Sequence, residues 1–459
     1  MPIAYVFLIP VLVALGGFLF ARSRARASAG AEIGKLHSLP KYHGQLLALC
    51  VLLPSLILIV AWLAVEPIFL NQVIRSSLSD EVVAAAQGRV GLLISQVRQA
   101  AAGITFGTPD PAILAAADAF SVAAAWSRFL LPVATFTVSL IAAVLVIRRV
   151  QLRFRARNVS ERIILWVLAV FAAISILVTV GILFSLLFEG LRFFSLVPVT
   201  EFLFGLRWDP QIAIRPDQVA TSGAFGAVPV FLGTIVIAFT AMAVATPVGL
   251  FAAIYMAEFA SPGVRSIVKP LLEVLAGIPT IVYGFFAVLV VSPAIRGWGA
   301  DLGITVAPTA AIVPGLVMGV MLIPFISSLA DDAISAVPQS LRDGSLGLGA
   351  TRGETVTTVI LPAALPGIVG GILLATSRAL GETMIVVMAA GLAANLTLNP
   401  LEGVTTTTVQ IISLLTGDTA FDNPKTLAAF GLGLTLFLAT LALNFVALMI
   451  VKKYREQYD

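Results

Sequence analysis

Nine apolar runs, each about as long as a helix must be to cross a bilayer, leave this chain few ways to fold. A spanning helix takes roughly 20 apolar residues. The runs fall at 3–20, 46–64, 129–147, 163–188, 228–257, 270–291, 308–330, 363–390 and 426–451. None alternates apolar with polar positions as a barrel strand does. Helices satisfy their own backbone groups in lipid, so a helical bundle is the expected solution. Composition agrees, with 59% hydrophobic and 11% charged residues, where a soluble domain carries about 25% charged. The expected class is all-α, a polytopic transmembrane helical bundle.

Charge placement gives the expected orientation. Basic residues follow the first run (Arg22, Arg24, Arg26), the third (Arg148, Arg149, Arg153, Arg155, Arg157) and the ninth (Lys452, Lys453, Arg455). Cytoplasmic segments are the ones enriched in Lys and Arg. The N-terminus is therefore expected outside the cytoplasm and the C-terminus inside. The first run lacks the preceding positive charge of a secretory signal and reads as a retained helix. The net charge of +4 belongs to this pattern, and no nucleic-acid partner is implied.

Residues 1–160 read as an extension with three membrane helices and an extracytoplasmic segment at about 65–128. Within that segment lie alanine-rich helical patterns at 80–102 and 111–126, and Asp110-Pro111 looks like a cap followed by proline at the first helical position. Residues 161–459 hold six runs. Pro247 and Gly249 mark a kink in the fifth run, and Gly277, Pro279 and Gly284 a bend or break in the sixth. Residues 292–307 are expected to turn the chain round, and 189–227 and 391–425 to form outer loops.

The eighth run is the most informative, because it carries Arg378 and Glu382 inside an apolar stretch. Charges in membrane segments are costly and usually face a protein interior or a water-filled path. On a continuous helix, residues four apart share a face, so the two side chains are expected to point the same way. Arginine offers a planar donor fork suited to an oxyanion. Glu382 could hold it in place or accept a proton. The pair serves either transport or helix packing. Thr376, Ser377 and Thr383 are further candidates for lining the path.

Residues 331–362 form a second informative stretch. Ile334, Val337 and Leu341 are spaced like one helix face. A glycine-rich break from Asp343 to Thr351 follows, and then Val359-Ile360-Leu361-Pro362. Such a knob could dock on a soluble partner and pass its movement to two membrane helices. His37 and His43 read as solvated linker residues, too few for a metal site, and Cys50 has no cysteine to pair with. The only Gly-Lys, Gly34-Lys35, is followed by leucine, so no phosphate-cradling ATPase loop is present. No hydrolytic triad is credible either. The chain is expected to be no enzyme and to hold no cofactor.

Residues 331–362 resemble the cytoplasmic coupling motif of binding-protein-dependent ABC importer permeases. Asp343, Gly344 and Ser345 stand at the motif's opening triad, followed by Gly349 and then Val359, Leu361 and Pro362 at matching spacing. Aspartate replaces glutamate, and Gly-Ser replaces Ala-Ala. "LLEVLAGIPTIVYGFFAV" (271–288), "GATRGETVTTVILPAALPGIVGGILLA" (349–375) and "SRALGETMIVV" (377–387) resemble the phosphate importer permeases. The Met384–Val387 continuation and "FLFGLRWDP" (202–210) tilt the match to the PstC type. The resemblance implies a six-helix permease core and an ATP-driven import of inorganic phosphate, with Arg378 and Glu382 in the substrate path. It also implies a homologous PstA-type permease, a dimer of ATPase subunits holding ATP and magnesium, an extracytoplasmic phosphate-binding protein, and a lipid surround. Alternatives are an ABC permease for molybdate or sulfate, a proton-coupled carrier, or a membrane sensor.

Overall fold

The computed structural model describes residues 4–29, 36–78, 90–104, 110–151, 154–210, 223–416 and 423–454. Among them, nine helices are long and apolar enough to cross a membrane. The chain divides into two compact units, Met1–Leu177 and Val178–Asp459.

The first unit contains α1 (Ala4–Ala29), α2 (Pro40–Ser77), α3 (Val90–Ala101), α4 (Pro111–Arg149) and the first half of α5 (Ala156–Leu196). Asp110 starts α4 as expected. Its carboxylate accepts the Ala112 N–H at 2.9 Å, and Pro111 occupies a first-turn position where no N–H partner is needed. The pattern at 111–126 and the run at 129–147 are one continuous helix, because nothing between them caps or breaks it.

Leu46, Leu47, Val51, Ala143 and Val146 form one core cluster of this unit. Buried hydroxyls pin the same helices. Ser55 and Ser139 share a hydrogen bond at 2.8 Å. Trp62 Nε1 donates to Ser127 Oγ at 3.0 Å, and Ser127 donates to Glu66 at 2.5 Å. His43 corrects the sequence reading: α2 begins at Pro40, so the ring lies inside a helix and is 1% exposed. Gly34-Lys35, Arg153, Arg455, residues 80–89 of the first alanine-rich pattern, 211–222 and 417–422 lie outside the described residues.

The second unit begins within α5 and continues through α6 (Val199–Phe204) to a two-residue antiparallel ladder, β1 (Trp208–Asp209) with β2 (Ala224–Phe225). Next come α7 (Val228–Ile254), closed by a π-helical turn at Tyr255–Phe259, and α8 (Pro262–Ala276). Helix α9 (Thr280–Phe286) runs through a π turn, Ala287–Val291, into α10 (Ser292–Asp301). Helices α11 (Ile312–Ser335), α12 (Gln339–Gly347) and α13 (Arg352–Thr355) follow. The latter passes through a π turn, Val356–Ile360, into α14 (Leu361–Leu380). Helices α15 (Met384–Ala389), α16 (Thr407–Leu415) and α17 (Pro424–Tyr454) complete the unit.

Helices α7 and α11 form the centre of this unit, and small residues let them approach. Ala241, Ala245 and Gly249 recur at four-residue spacing on α7, and Gly315 and Gly319 do so on α11. A Cβ on Gly315 would fall 2.7 Å from the Thr240 side chain, and one on Gly319 2.9 Å from the Ala241 carbonyl. In lipid, where helix association rests on close packing, such stripes bring backbones together.

Three connections differ from expectation. The sixth run does break at Gly277-Ile278-Pro279, but 292–307 is no simple turn, since α10 extends the helix to Asp301. The stretch 189–227 holds an edge-to-face aromatic cluster, with Phe193 5.3 Å from Phe202 and 5.8 Å from Phe225. Beside it the backbones of Gly205 and Gly226 cross so closely that a Cβ on either would lie within 2.6 Å of the other. Residues 391–416 are no simple loop. Thr405, Thr406, Thr407 and Thr408 are buried and bonded: Thr407 N–H donates to Thr234 Oγ1 at 3.0 Å, and Thr408 to the Glu382 carbonyl at 2.9 Å. Gln410 accepts from Trp208 Nε1 and donates to the Leu392 carbonyl and Thr405 Oγ1. These threonines read as loop residues because their composition is polar, while tertiary packing supplies the partners that bury them.

Candidate functional site

The site is built around the end of α14. This helix stops at Leu380, with Gly381 as its cap. Glu382 and Thr383 are non-helical, and α15 begins at Met384. The expectation that Arg378 and Glu382 share one helix face is therefore corrected: Arg378 is in the last turn, and Glu382 lies beyond the helix. Among the described residues they form no ion pair. The Arg378 guanidinium carbon instead lies 5.6 Å from the centre of the Phe325 ring on α11. The Glu382 carbonyl is taken by Thr408. Thr383 bonds the Gly381 carbonyl at 3.1 Å and Thr376 the Ile372 carbonyl at 2.8 Å, so both hydroxyls serve the local backbone. Ser377 is half-buried beside Arg378.

Arg378 opens on a cavity of about 420 Å³ lined also by Lys269 and Glu273 of α8 and by Phe325, Ser327 and Asp331 of α11. The register of α11 and α14 explains its shape. A Cβ on Gly371 would meet Leu329, and one on Gly367 would meet Ala333. The helices run antiparallel, so Arg378 comes level with Phe325. Asp331 lies six residues further along, about 9 Å at 1.5 Å per residue. The cavity therefore leads from Arg378 towards the end of α11.

An ion cluster stands at that far end. Asp331 is 1% exposed. Arg265 Nη2 donates to both its oxygens, at 2.9 and 3.0 Å, and Lys269 Nζ to one at 2.9 Å. Arg265 and Lys269 are four apart and Glu273 four further, which puts all three on one face of α8. A buried carboxylate without such partners would be strongly unfavourable.

The connecting segment 331–362 is a packed hairpin of helices. Ile334 and Val337 are buried with Leu341 against them, joined by Ala253, Val356, Ile360 and Ala364. They are not one face of one helix, as the spacing suggested: Ile334 is on α11, Leu341 is on α12, and a turn ending at Pro338 separates them. Asp343, Gly344 and Ser345 lie within α12, so the glycine-rich break starts only at Leu348. Gly349 has φ +93°, a conformation that glycine adopts without strain. Thr351 and Glu354 form a reciprocal capping box that starts α13. Ser345 bonds Thr355 at 2.9 Å, tying α12 to α13. Val359 lies in the π turn, Leu361 opens α14, and Pro362 falls in its first turn.

Arg342 fixes this hairpin to the bundle. It pairs with Glu258 of the π turn after α7 at 3.1 Å. It also donates to the carbonyls of Ile334, at 2.7 Å, and Val337. Arg342 thereby ties α12 to the turn that ends α11, where the Ile334 carbonyl also accepts the Val337 N–H. Leu348 protrudes beside it, 92% exposed.

Sequence reasoning did not single out Lys269, Ser327, Asp331 or Arg342. The four-residue spacing of Arg265, Lys269 and Glu273 was an available signal, split by the boundary between the apolar runs at 228–257 and 270–291. Asp331 and Arg342 looked like loop charges because their partners are distant in sequence.

The comparisons match this architecture. The model for the phosphate ATP-binding cassette transporter family matches residues 6–178. The model for the binding-protein-dependent transport system inner membrane component matches residues 245–456. The chain is 31% identical over 288 residues to a probable ABC transporter permease protein, YqgH, of Bacillus subtilis, covering 61% of this chain and 86% of that protein. It is 30% identical over 305 residues to the phosphate transport system permease protein PstC of Pasteurella multocida, covering 62% and 90%. With PstC 1 of Mycobacterium tuberculosis the identity is 31% over 285 residues, covering 58% and 82%. The chain is thus a membrane transport subunit rather than an enzyme, and it belongs to the family of PstC-type permeases of phosphate ATP-binding cassette transporters.

Proposed function

We propose that the chain carries inorganic phosphate into the cytoplasm as one permease of an ATP-driven importer, and that the cavity at Arg378 is part of the path. One observation supports this reading most: an arginine fork with no carboxylate partner among the described residues lines a cavity that also holds Lys269. Phosphate is an oxyanion, and guanidinium and ammonium groups are its usual protein donors. Glu382, displaced from the helix, supports the path's backbone rather than compensating Arg378.

Binding-protein-dependent ABC permeases work with an ATPase and a substrate-binding partner. For this chain we assign a PstA-type second permease, an ATPase dimer holding ATP and magnesium, and an extracytoplasmic phosphate-binding protein. The N-terminus lies outside the cytoplasm and the C-terminus inside, by the distribution of arginine and lysine. On this orientation α12 and Leu348 face the ATPase. A push on α12 reaches α11 and the turn after α7 through Arg342, and α11 carries Phe325 and Asp331 along the cavity wall. Residues 1–160 form a separate extension ahead of the 161–459 permease core.

Uptake of labelled phosphate into proteoliposomes holding the complete assembly tests this. Uptake should require both ATP and the binding protein. Uptake that persists without ATP, or that prefers sulfate or molybdate, would overturn it.

A further inference from the structure

Helical hydroxyls in this unit normally bond the carbonyl one turn back: Thr234 to Val230, Thr240 to Val236, Thr376 to Ile372. Ser327 on α11 does not. Its Oγ is buried and has no hydrogen-bond partner among the described residues, and Ser327 is one of the residues around the cavity that Arg378 opens on. A buried hydroxyl left without a partner is unfavourable, so this one calls for an occupant.

The remaining polar groups of the cavity divide by commitment. Asp331 has both oxygens bonded by Arg265 alone. Lys269 therefore supplies a surplus bond to Asp331, and its ammonium has further N–H groups to direct elsewhere. Arg378 carries five N–H donors and, among the described residues, has no hydrogen bond or ion pair, its guanidinium lying over the Phe325 ring. Ser328 adds a second hydroxyl at the cavity wall. Glu273 differs from all of these. It is the one carboxylate lining the cavity that has no hydrogen bond or ion pair among the described residues.

An anion entering this cavity meets donors and one uncommitted carboxylate. A fully deprotonated oxyanion is repelled by that carboxylate, whereas an anion that keeps an O–H can donate to it. Placing a like charge against the unwanted ligand is a common way to build specificity. We propose that the cavity binds phosphate in its hydrogen-bearing form, with Glu273 accepting the anion's O–H while Arg378, Lys269, Ser327 and Ser328 donate to its other oxygens. This rests on the phosphate-import reading above and assigns to that path a filter against sulfate.

The test is phosphorus NMR line broadening of orthophosphate by the purified complex, without the binding protein so that only the membrane site selects. Sulfate is the competitor. The native complex should broaden the phosphate line, and sulfate should not reverse it. Glu273→Gln, whose amide can donate to a bare oxyanion, should weaken phosphate binding about tenfold and let sulfate compete. Ser327→Ala should weaken phosphate binding several-fold, about what one hydrogen bond supplies, and keep sulfate excluded. Assembly and thermal unfolding of both variants should match the native complex. If Glu273→Gln fails to assemble, Glu273→Asp, which keeps the carboxylate, must still exclude sulfate, and sulfate competition there overturns the proposal. Unchanged phosphate and sulfate behaviour in Glu273→Gln also overturns it, even where phosphate uptake by the complete assembly is normal. Absence of phosphate uptake by the complete native assembly refutes instead the reading on which it rests.

Discussion

Arg378 stacks on Phe325, with its guanidinium carbon 5.6 Å from the ring centre, and does not pair with Glu382 four residues later. The helix ends between them. The arginine is thus oriented by an aromatic face that leaves its N–H groups available to the cavity. A cation over an aromatic ring gains about 0.5–2 kcal/mol depending on desolvation. Replacing Phe325 by leucine should lower the apparent phosphate affinity for uptake two- to tenfold while leaving assembly intact. Wild-type affinity in Phe325→Leu would show that the ring does not orient Arg378.

Arg342 links α12 to the turn after α7 and to the turn that ends α11. Its pair with Glu258 is 12% and 15% exposed on the two sides, and removing one partner of a buried pair costs about 3–5 kcal/mol. Arg342→Ala should keep ATP hydrolysis in the assembled complex while reducing phosphate moved per ATP at least fivefold. Arg342→Lys should not restore coupling, because an ammonium cannot span the carboxylate and both carbonyls with a planar fork. Normal stoichiometry in Arg342→Ala would show that force enters by another route.

Leu348 is 92% exposed at the tip of the hairpin, and its removal leaves the chain's own packing unchanged. Leu348→Asp should abolish co-purification of the ATPase while helix content by circular dichroism stays constant. Retained ATPase binding would place the docking surface elsewhere.

Gly319 lies where a Cβ would strike the Ala241 carbonyl at 2.9 Å. Overpacking a filled interior typically costs about 1–3 kcal/mol. Gly319→Leu should lower the thermal unfolding midpoint and the yield of assembled complex. Gly344→Ala, at an open position in α12, should be neutral or slightly stabilising, because alanine is favoured over glycine in a helix by up to about 1 kcal/mol.

How much of this was legible follows from the range of each interaction. The spans were readable because lipid imposes a local rule, a long apolar run, that needs no knowledge of partners. The break at Gly277-Ile278-Pro279 and the cap at Asp110-Pro111 were readable for the same reason. The end of α14 was not, since Ala379-Leu380-Gly381-Glu382 contains a single mild breaker, and the stop is held by Thr408 bonding the Glu382 carbonyl from 26 residues away. Arg378 stood out as a charge in an apolar run, but its neighbours did not. Asp331 meets Arg265 across 66 residues and Arg342 meets Glu258 across 84, and no local pattern announces such pairs. The same applies to Thr405–Thr408, polar in composition and buried through tertiary bonds.

The central claim is that Arg378 supplies donors to the anion in transit. It is tested most directly by labelled phosphate uptake through the complete reconstituted assembly bearing Arg378→Gln, with assembly and basal ATP hydrolysis measured alongside. Loss of a charged hydrogen-bonding fork should reduce uptake at least tenfold, since such bonds are worth about 1.5–3 kcal/mol, while assembly and basal hydrolysis are retained. Uptake equal to that of the native complex would contradict the account and leave Arg378 a packing residue.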